Sequence, residues 1–505
     1  MISEKNLEVI FVVFLIILGF FFIYLAFNTQ MLGEDEAYYY FMAKDFSNET
    51  FLTHDSHGIP IYSVYLTSLL CSFFSLLINS SLSMLKAITA FFGLLTLFVV
   101  YLIGKRFNIY YGIFSIFLLI SIQMFSHFMM IAYVEIPIAF FSILLIYLFL
   151  TMNTIKKAIF TGMILALAYY TKTSALVFFL SLFLYALFRL FSVKDKKYFK
   201  LMFVAMIVSG LIILPLALRN LLLFNYPFIE GLNIFFKLPE NIKFWPEWLS
   251  ESFKMVSPVR PSLQIYISTF GWLVFGLSIF GITWLFYNWR DNQENKNLLL
   301  LLLLSFLIFL IIFNAVYFTG QLPLESRYLS IIFPQLAMLG GFFLWKMKEW
   351  NRRLLLLILP ILFFSLFSGI STVLETSNIQ RYPNDYIEAL KWIKNNTPEN
   401  SSIFTTYGGS LKYFGERDNI WASNMDEYFP EVMITSNSTR IYDILKQYNV
   451  SHILIWKNTI AQNYIIPESN LWGLFTYNFV NIIPTDTEHF ENVFSNQNNW
   501  IFKVL

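Results

Sequence analysis

Charged side chains are scarce in this 505-residue chain. Asp, Glu, Lys and Arg make up 13% of the residues, hydrophobic residues make up 57%, and the mean hydropathy is +0.61. A soluble globular protein carries about 25% charged residues, so this composition excludes that class and indicates an integral membrane protein. The chain also has a single cysteine, Cys71, which excludes an intramolecular disulfide.

The sequence has no Gly-rich phosphate loop. A nucleotide donor held by a P-loop or a Rossmann unit is therefore not supported, because both depend on such a loop. We also expect no nucleic acid among the partners of this chain.

The few charges are divided unevenly along the chain. Residues 1–371 hold 25 Lys and Arg against 18 Asp and Glu, a net charge of +7, whereas residues 372–505 hold 9 against 14, a net charge of −5. The long hydrophobic runs also lie in the first part. We therefore predict two domains: a membrane domain over 1–371 and a separate domain over 372–505.

Hydrophobic runs of about 20 residues and the loops that collect Lys and Arg together predict the membrane spans. With a cytoplasmic N-terminus, every compact basic cluster falls on the cytoplasmic side, and the C-terminal domain lies outside the cell membrane. The first run lacks a small-residue cleavage site, which favours a signal anchor over a cleaved signal peptide. The eleven predicted spans are 8–27, 84–104, 111–128, 136–152, 158–171, 173–190, 201–218, 265–288, 297–318, 327–345 and 354–371.

A further apolar run, 59–78, is long enough to cross the membrane, but a crossing there would place Lys105 and Arg106 outside. Its Ser, Thr and Tyr residues suit a helix in the interface. We therefore expect an external juxtamembrane helix in addition to the spans.

The segment 372–505 has the pattern of a small α/β domain. DYIEALKWIKNN spaces its apolar residues along one helical face, and SSIFTTYGG is typical of a strand that enters a glycine turn. IYDILKQYNVSHILIWKN indicates a helix, a turn and a buried strand, and NNWIFKVL indicates another strand. About 130 residues are enough to bury a core.

Three adjacent carboxylates, Glu34, Asp35 and Glu36, follow the first span in the segment GEDEAYYY. Charge at the mouth of a membrane is expensive unless it is solvated or used. If this segment is helical, Asp35 and Tyr39 fall on one face at positions i and i+4. We expect Tyr39 to pack beside the acid there.

Between Asp55 and Asp195 the only acidic residue is Glu135. The predicted topology places it at the external end of a span, together with three cations from other helices: Lys172, Arg219 and Arg327. Glu135 is open to a second interpretation, a carboxylate that reaches the headgroups, and each cation could be an interface anchor. All of them on the outer face, against the positive-inside bias, instead indicate a site for an anionic ligand such as phosphate.

These residues lie in motifs that resemble the GT-C glycosyltransferases, in particular the protein O-mannosyltransferase and aminoarabinose-transferase group, which use polyprenyl-phosphate sugars. The resemblance runs in order over residues 1–345, and the C-terminal domain matches in position and α/β character. This chain has His-Gly-Ile-Pro where the family has His-Pro-Pro, and it lacks the Trp-Trp-Asp motif of oligosaccharyltransferase catalytic subunits. The matching elements are Asp35–Glu36–Ala37, His57 with Pro60, IGKRF, Glu135 before Pro137, YYTKTS, LPLALRNLLLFNYP and SRYLSIIFPQLAML.

The resemblance implies a GT-C membrane fold and transfer of a single sugar, a mannose-like hexose or a related one, to an acceptor hydroxyl on the outer face. The implied partners are a polyprenyl- or dolichyl-phosphate sugar, an acceptor protein, lipid or glycan, and membrane lipid. Asp35 is then the catalytic base, with Glu36 and Glu135 in supporting roles. The implied substrate-binding residues are Lys172, Arg219, Arg327, Tyr39, Tyr328 and His57.

Two points stay open at the level of sequence. His54, Asp55 and His57 have ligand types and spacing that suit a divalent metal, but a polar loop with two surface histidines explains them as well. The alternative functions are a polytopic transporter and a non-enzymatic cell-envelope assembly protein. Against a transporter, the charges lie at span ends on one face rather than at the midplane, and no inverted repeat is evident.

Overall fold

The computed structural model divides the chain into two compact units. Unit 1 contains the described residues up to 30, from 68 to 224 and from 271 to 379, and unit 2 contains 34–45 and those from 382 onwards. The residues that the structure describes are 4–30, 34–45, 68, 70, 82–224, 271–287, 297, 298, 300–309, 326–379, 382–405, 408–420, 437–456 and 481–505.

Unit 1 is helical because its sequence consists of long apolar runs that must satisfy their backbone hydrogen bonds internally. Among the described residues, five helices are long and apolar enough to cross a membrane: Lys5–Asn28, Leu82–Phe107, Lys196–Leu222, Leu329–Trp350 and Arg352–Asn378. Shorter apolar helices include Glu135–Thr151 and Leu176–Ser192. The predicted class, a polytopic helical membrane protein, is confirmed, whereas the number of eleven spans stays a prediction.

The helices of unit 1 follow the predicted spans with shifted ends. In chain order they are α1 (Glu4–Asn28), α3 (Leu82–Phe107), α4 (Ile109–Ser121), α5 (Gln123–Phe128), α6 (Glu135–Thr151), α7 (Ile155–Thr171), α8 (Leu176–Ser192), α9 (Lys196–Phe224), α10 (Trp272–Tyr287), α11 (Leu300–Phe309), α12 (Phe333–Trp350) and α13 (Leu355–Asn378). Helix α2 (Glu34–Asp45) belongs to unit 2.

One predicted span, 111–128, is interrupted in the structure. Ile122 has an extended backbone (φ −69°, ψ 102°) and separates α4 from α5. The hydroxyl of Ser126 donates to the carbonyl of Ile120 at 2.6 Å, which satisfies an acceptor that the break leaves without its helical partner. The predicted juxtamembrane helix over 59–78 falls outside the described residues, apart from positions 68 and 70.

Contacts at both ends of α1 and α3 show that these helices run antiparallel. Glu8 near the start of α1 pairs with Lys105 near the end of α3. At the other end, the ammonium of Lys86 donates to the carbonyl of Thr29 at 3.2 Å. The end of α12 lies on the side of Lys105, since Trp345 stacks on Tyr111 at 5.7 Å near the start of α4.

Within the described residues, unit 2 has a five-stranded mixed sheet with the strand order β2 (Asp418–Ile420), β1 (Ser402–Phe404), β3 (Val450–Trp456), β5 (Asn499–Val504) and β4 (Phe490–Ser495). Strand β1 is parallel to β2 and β3, and β5 is antiparallel to β3 and β4. The core lies between this sheet and an amphipathic helix, α15, whose Ile441, Ile444 and Leu445 are fully buried. The elements are α14 (Asn384–Asn396), β1 (Ser402–Phe404), β2 (Asp418–Ile420), α15 (Ser438–Gln447), β3 (Val450–Trp456), β4 (Phe490–Ser495) and β5 (Asn499–Val504).

The α/β class of the C-terminal region is therefore confirmed. The predicted helix at DYIEALKWIKNN is α14, and the predicted strands are β1, β3 and β5. Strands β2 and β4 were not predicted, because DNI is short and FENVFS has little apolar alternation.

Candidate functional site

Glu135 and Lys172, which come from different helices, form an ion pair. Glu135 is the first residue of α6, and Lys172 follows the last residue of α7 with an extended backbone. The Lys172 Nζ atom lies 2.8 Å from the Glu135 Oε1 atom, and the carboxylate side chain is only 3% exposed. The rare acidic residue of the sequence and a cation predicted to lie near it are thus in direct contact.

The second carboxylate oxygen of Glu135 is also buried. Within the described part of the chain, this Oε2 atom has no hydrogen-bond partner. A buried carboxylate oxygen without a partner costs free energy, and such costs are typical of sites that receive a ligand. A hydroxyl donor of a bound molecule would satisfy it.

Arg327 lies beside the segment that leads into Glu135. Its guanidinium carbon is 6.0 Å from the centre of the Tyr133 ring, at the outer range of a cation–π contact. Arg327 belongs to the 3-10 helix Ser326–Ile332, which packs against α6. The structure therefore brings Glu135, Lys172 and Arg327 to one end of the helical unit.

Arg219 lies towards the same end as Lys172, because α7 and α9 run parallel. Gly162 packs against Val208, and further along both helices the Tyr170 hydroxyl donates to the Ile212 carbonyl at 3.0 Å. Arg219 follows Ile212 by about two helical turns. Its Nη1 atom donates to the Asn220 side chain at 2.9 Å.

The basic loops lie at the opposite ends of these helices. Lys157 donates to the carbonyl of Thr151 at 3.0 Å, and the Tyr198 hydroxyl donates to that of Phe149 at 2.8 Å. The end of α6 and the beginnings of α7 and α9 therefore meet at one place. Since Glu135 begins α6, it lies a helix length away from Lys157, about 25 Å at 1.5 Å per residue.

The acidic residues after the first span lie on α2, in unit 2. The segment is helical, and a helix is the condition under which Asp35 and Tyr39 were predicted to lie on one face. Glu36 is fully buried, Tyr39 is 9% exposed and Asp35 is half-buried. Helix α2 packs against the helical turn Gly408–Ser410 of the same unit.

Several predicted site residues are outside the described part of the chain. His54, Asp55 and His57 belong to this group, and of Tyr328 only the backbone is described. Among the residues that the structure does describe, no group of three His, Cys, Asp or Glu side chains is arranged to hold a metal ion. The metal prediction at 54–57 is therefore still a prediction.

Several polar side chains of unit 1 are fully buried but were not predicted as such, and Lys86 and Gln335 are the longest of them. Lys86, near the start of α3, donates to the carbonyls of Thr29 and Gln30. Gln335 lies in α12, and within the described residues neither polar atom of its side chain has a hydrogen-bond partner. Lys86 could have been found by the feature that identified Glu135, because it too is an isolated charge within an apolar run.

This fold is similar to that of solved structures of ArnT and of an archaeal oligosaccharyltransferase, and the predicted resemblance is confirmed at the level of the fold. Solved structures of two proteins show the similarity. ArnT from Cupriavidus metallidurans bound to undecaprenyl phosphate has a TM-score of 0.65 at 14% identity, over 99% of this chain and 98% of that chain. The archaeal oligosaccharyltransferase AglB from Archaeoglobus fulgidus, in complex with an inhibitory peptide and a dolichol-phosphate, has a TM-score of 0.64 at 14% identity.

The likeness to AglB covers 91% of this chain and 71% of that chain. ArnT in the apo state gives a TM-score of 0.66 at 12% identity, over 98% of both chains. Neither a protein-family model nor a curated protein sequence matches the chain. At these identities the similarity concerns the fold.

Proposed function

We propose that this protein is a glycosyltransferase that moves a single sugar from a polyprenyl-phosphate donor to an acceptor hydroxyl. The observation that carries the proposal is the buried Glu135–Lys172 pair with Arg327 nearby, at the end of the helical unit away from its basic loops. The fold supports it, because a similar structure, that of ArnT, is bound to undecaprenyl phosphate.

The cations of unit 1 would hold the phosphate of the donor. Charge-assisted hydrogen bonds from Lys and Arg are the strong ones, and a phosphate that leaves as a dianion gains most from them in the transition state. Lys172, Arg219 and Arg327 supply this charge in the proposal. Glu135 fixes the Lys172 ammonium through Oε1, and its Oε2 atom accepts a hydroxyl of the sugar.

Asp35 would act as the base for the acceptor. Its carboxylate takes the proton of the acceptor hydroxyl, the hydroxyl oxygen forms a bond to the anomeric carbon, and the bond from that carbon to the phosphate oxygen breaks with its electron pair on the phosphate. A phosphate leaving group needs no general acid. One direct displacement of this kind inverts the anomeric configuration.

The remaining assignments follow the resemblance to the GT-C enzymes. Glu36 fixes the orientation of Asp35 on α2, and Tyr39, Tyr328 and His57 contribute to the substrate pocket. The sugar is a mannose-like hexose or a related pentose. The reaction takes place at the outer face of the cell membrane, with a cytoplasmic N-terminus and an external C-terminal domain, and the apolar helices accommodate the isoprenoid chain.

Purified protein in lipid vesicles, incubated with radiolabelled polyprenyl-phosphate sugars and a total membrane extract as acceptor, tests the proposal. We expect label to move from the lipid-phosphate fraction to an acceptor fraction, with the opposite anomeric configuration by nuclear magnetic resonance. Retention of the label on every polyprenyl phosphate tried, in a folded preparation, would contradict it. A product with retained configuration would contradict the direct displacement alone.

A further inference from the structure

The acid helix, Glu34–Asp45, belongs to the same compact unit as the C-terminal sheet domain. This association is unexpected from the sequence, because more than 300 residues separate the two segments. The segment after the first apolar helix therefore packs on residues much further along the chain. The contacts within unit 2 indicate how the acid helix is held.

Two side chains of the 408–415 segment contact the acid helix. The ring of Tyr413 meets that of Tyr40 edge-to-face, with 5.6 Å between the ring centres and an interplanar angle of 78°. The Lys412 ammonium lies 5.3 Å from the centre of the Phe41 ring. Edge-to-face and cation–π contacts are directional, so they constrain both the position and the rotation of a helix.

A series of further ring contacts leads from Tyr413 to the sheet. Tyr413 packs on Phe414, and each following ring in the series contacts the next, until the series reaches β3, the central strand. Neighbouring ring centres are 4.8 to 6.0 Å apart. We call this series the ring path: Tyr40, Tyr413, Phe414, Tyr382, Tyr386 and Trp456.

Glu36, an acidic residue of the segment GEDEAYYY, is among the groups that surround Tyr413. Burial raises the pKa of the Tyr413 phenol above its ordinary value, and the neighbouring Tyr40 and Glu36 side chains raise it further. Glu36 is fully buried, and so is Ala37 next to it. The face of the acid helix that carries Glu36 and Tyr40 is thus directed towards the 408–415 segment.

We propose that Tyr413 of the C-terminal domain is a positioning residue: through Tyr40 it fixes the acid helix and thereby the orientation of Asp35. The inference rests on the proposed function for its kinetic consequence, but the contact itself does not. It assigns a task to the C-terminal domain, which is to hold the base. A misplacement of about 1 Å in a catalytic group costs about 10²-fold in rate, so loss of this support affects turnover.

The first test is a cross-link that requires no substrate. Tyr40→Cys and Tyr413→Cys are combined in a Cys71→Ser background, and membranes are treated with a short bis-maleimide. We expect an intramolecular cross-link, seen as a mobility shift on a denaturing gel. Tyr40→Cys with Tyr442→Cys is the matched control, since Tyr442 contacts His489 and donates to the Leu505 carbonyl elsewhere in the domain.

The second test is kinetic. Tyr413→Ala should lower kcat by about 10- to 100-fold and leave the donor KM within about threefold, because the proposed phosphate cations lie on unit 1. Tyr413→Phe keeps the ring contact with Tyr40 and should restore most of kcat. Tyr442→Ala removes a tyrosine of the same domain and should not lower kcat in this selective way.

The outcomes separate the inference from the proposed function. A cross-link with wild-type kcat in Tyr413→Ala would overturn the positioning role, and so would equal changes in kcat and donor KM. Absence of the 40–413 cross-link in a folded protein would overturn the contact. A 40–413 cross-link, together with a folded wild-type protein that transfers no sugar from any donor tried, would support the contact and refute the proposed function.

Discussion

Arg417 in unit 2 and Lys172 in unit 1 are cations in different surroundings. In unit 2, Arg417 is 6% exposed and donates to the carbonyls of Lys394 and Thr397, both at 2.6 Å. In unit 1, Lys172 instead pairs with the carboxylate of Glu135. Backbone carbonyls around a guanidinium accept its hydrogen bonds and leave no task for a ligand. A buried carboxylate with one oxygen paired to an ammonium still has a second oxygen that can accept a hydrogen bond from a ligand.

This difference teaches how to interpret a buried charge in such a chain. A cation that donates to main-chain carbonyls connects segments, and its loss should lower stability without an effect specific to the donor. Loss of a cation that is paired with another charge at the end of the helices should weaken substrate binding before it lowers stability.

The largest expected effect concerns the side of the membrane on which the C-terminal domain lies. If the basic loops are cytoplasmic, the C-terminal domain is external, and protease added to intact spheroplasts should remove residues from 382 onwards completely. An antibody against a C-terminal tag measures this, and a cytoplasmic marker protein serves as the control. Protection of the tag until the cells are lysed would reverse the proposed orientation and move the site to the other face.

The next effect concerns the base. Asp35→Asn keeps the volume of the side chain but loses the proton acceptor, so transfer should fall by about 10²- to 10⁴-fold, with donor binding little changed. Glu34→Gln is the neighbouring control and should be nearly silent. Wild-type transfer in Asp35→Asn together with a large loss in Glu34→Gln would show that the base was assigned to the wrong carboxylate.

The Glu135–Lys172 pair should show strong coupling. Lys172→Met leaves a buried carboxylate without its cation, which costs about 3 to 5 kcal/mol of stability, and it should also raise the donor KM. Glu135→Gln with Lys172→Met should recover part of the stability but none of the donor affinity. Thermal unfolding and donor titration measure the two quantities, and strictly additive losses would mean that the pair does not act as a unit.

The arginines of the two units provide a direct comparison. Arg219→Ala and Arg327→Ala should each raise the donor KM or lower turnover by about 10-fold or more, since one charge-assisted contact is worth about 1.5 to 3 kcal/mol. Arg417→Ala should lower the melting temperature and leave the donor KM unchanged. If Arg417→Ala alone raised the donor KM, the distinction between structural and ligand-binding cations would be wrong.

Sequence reasoning identified Glu135 and Lys172 because charge is rare in apolar runs, and a rare charge has to find a partner. It identified strands β3 and β5 because their apolar runs are buried. The break at Ile122 was not predictable, since neither Gly nor Pro marks it.

The association of the acid helix with Tyr413 was not predictable either. It depends on a contact between segments distant in the chain, and local periodicity carries no information about such contacts. Of the tyrosines of GEDEAYYY, only Tyr39 was given a predicted role, beside the acid in the substrate pocket, and no contact was predicted for Tyr40, whose ring meets that of Tyr413.

The smallest expected effect is at Lys86, which resembles Arg417 more than Lys172. Its ammonium is fully buried and donates to the carbonyls of Thr29 and Gln30, at the end of the first helix. Lys86→Met keeps the apolar length of the side chain and removes these hydrogen bonds, so the free energy of unfolding should fall by about 1 to 3 kcal/mol. Thermal unfolding in detergent measures this, with Lys105→Met at the exposed Glu8 pair as a control that should cost less than about 1 kcal/mol. The donor KM of Lys86→Met should stay at the wild-type value, because the role of the ammonium is to connect α1 with α3. A donor KM raised 10-fold with unchanged stability would instead place Lys86 among the phosphate-binding cations.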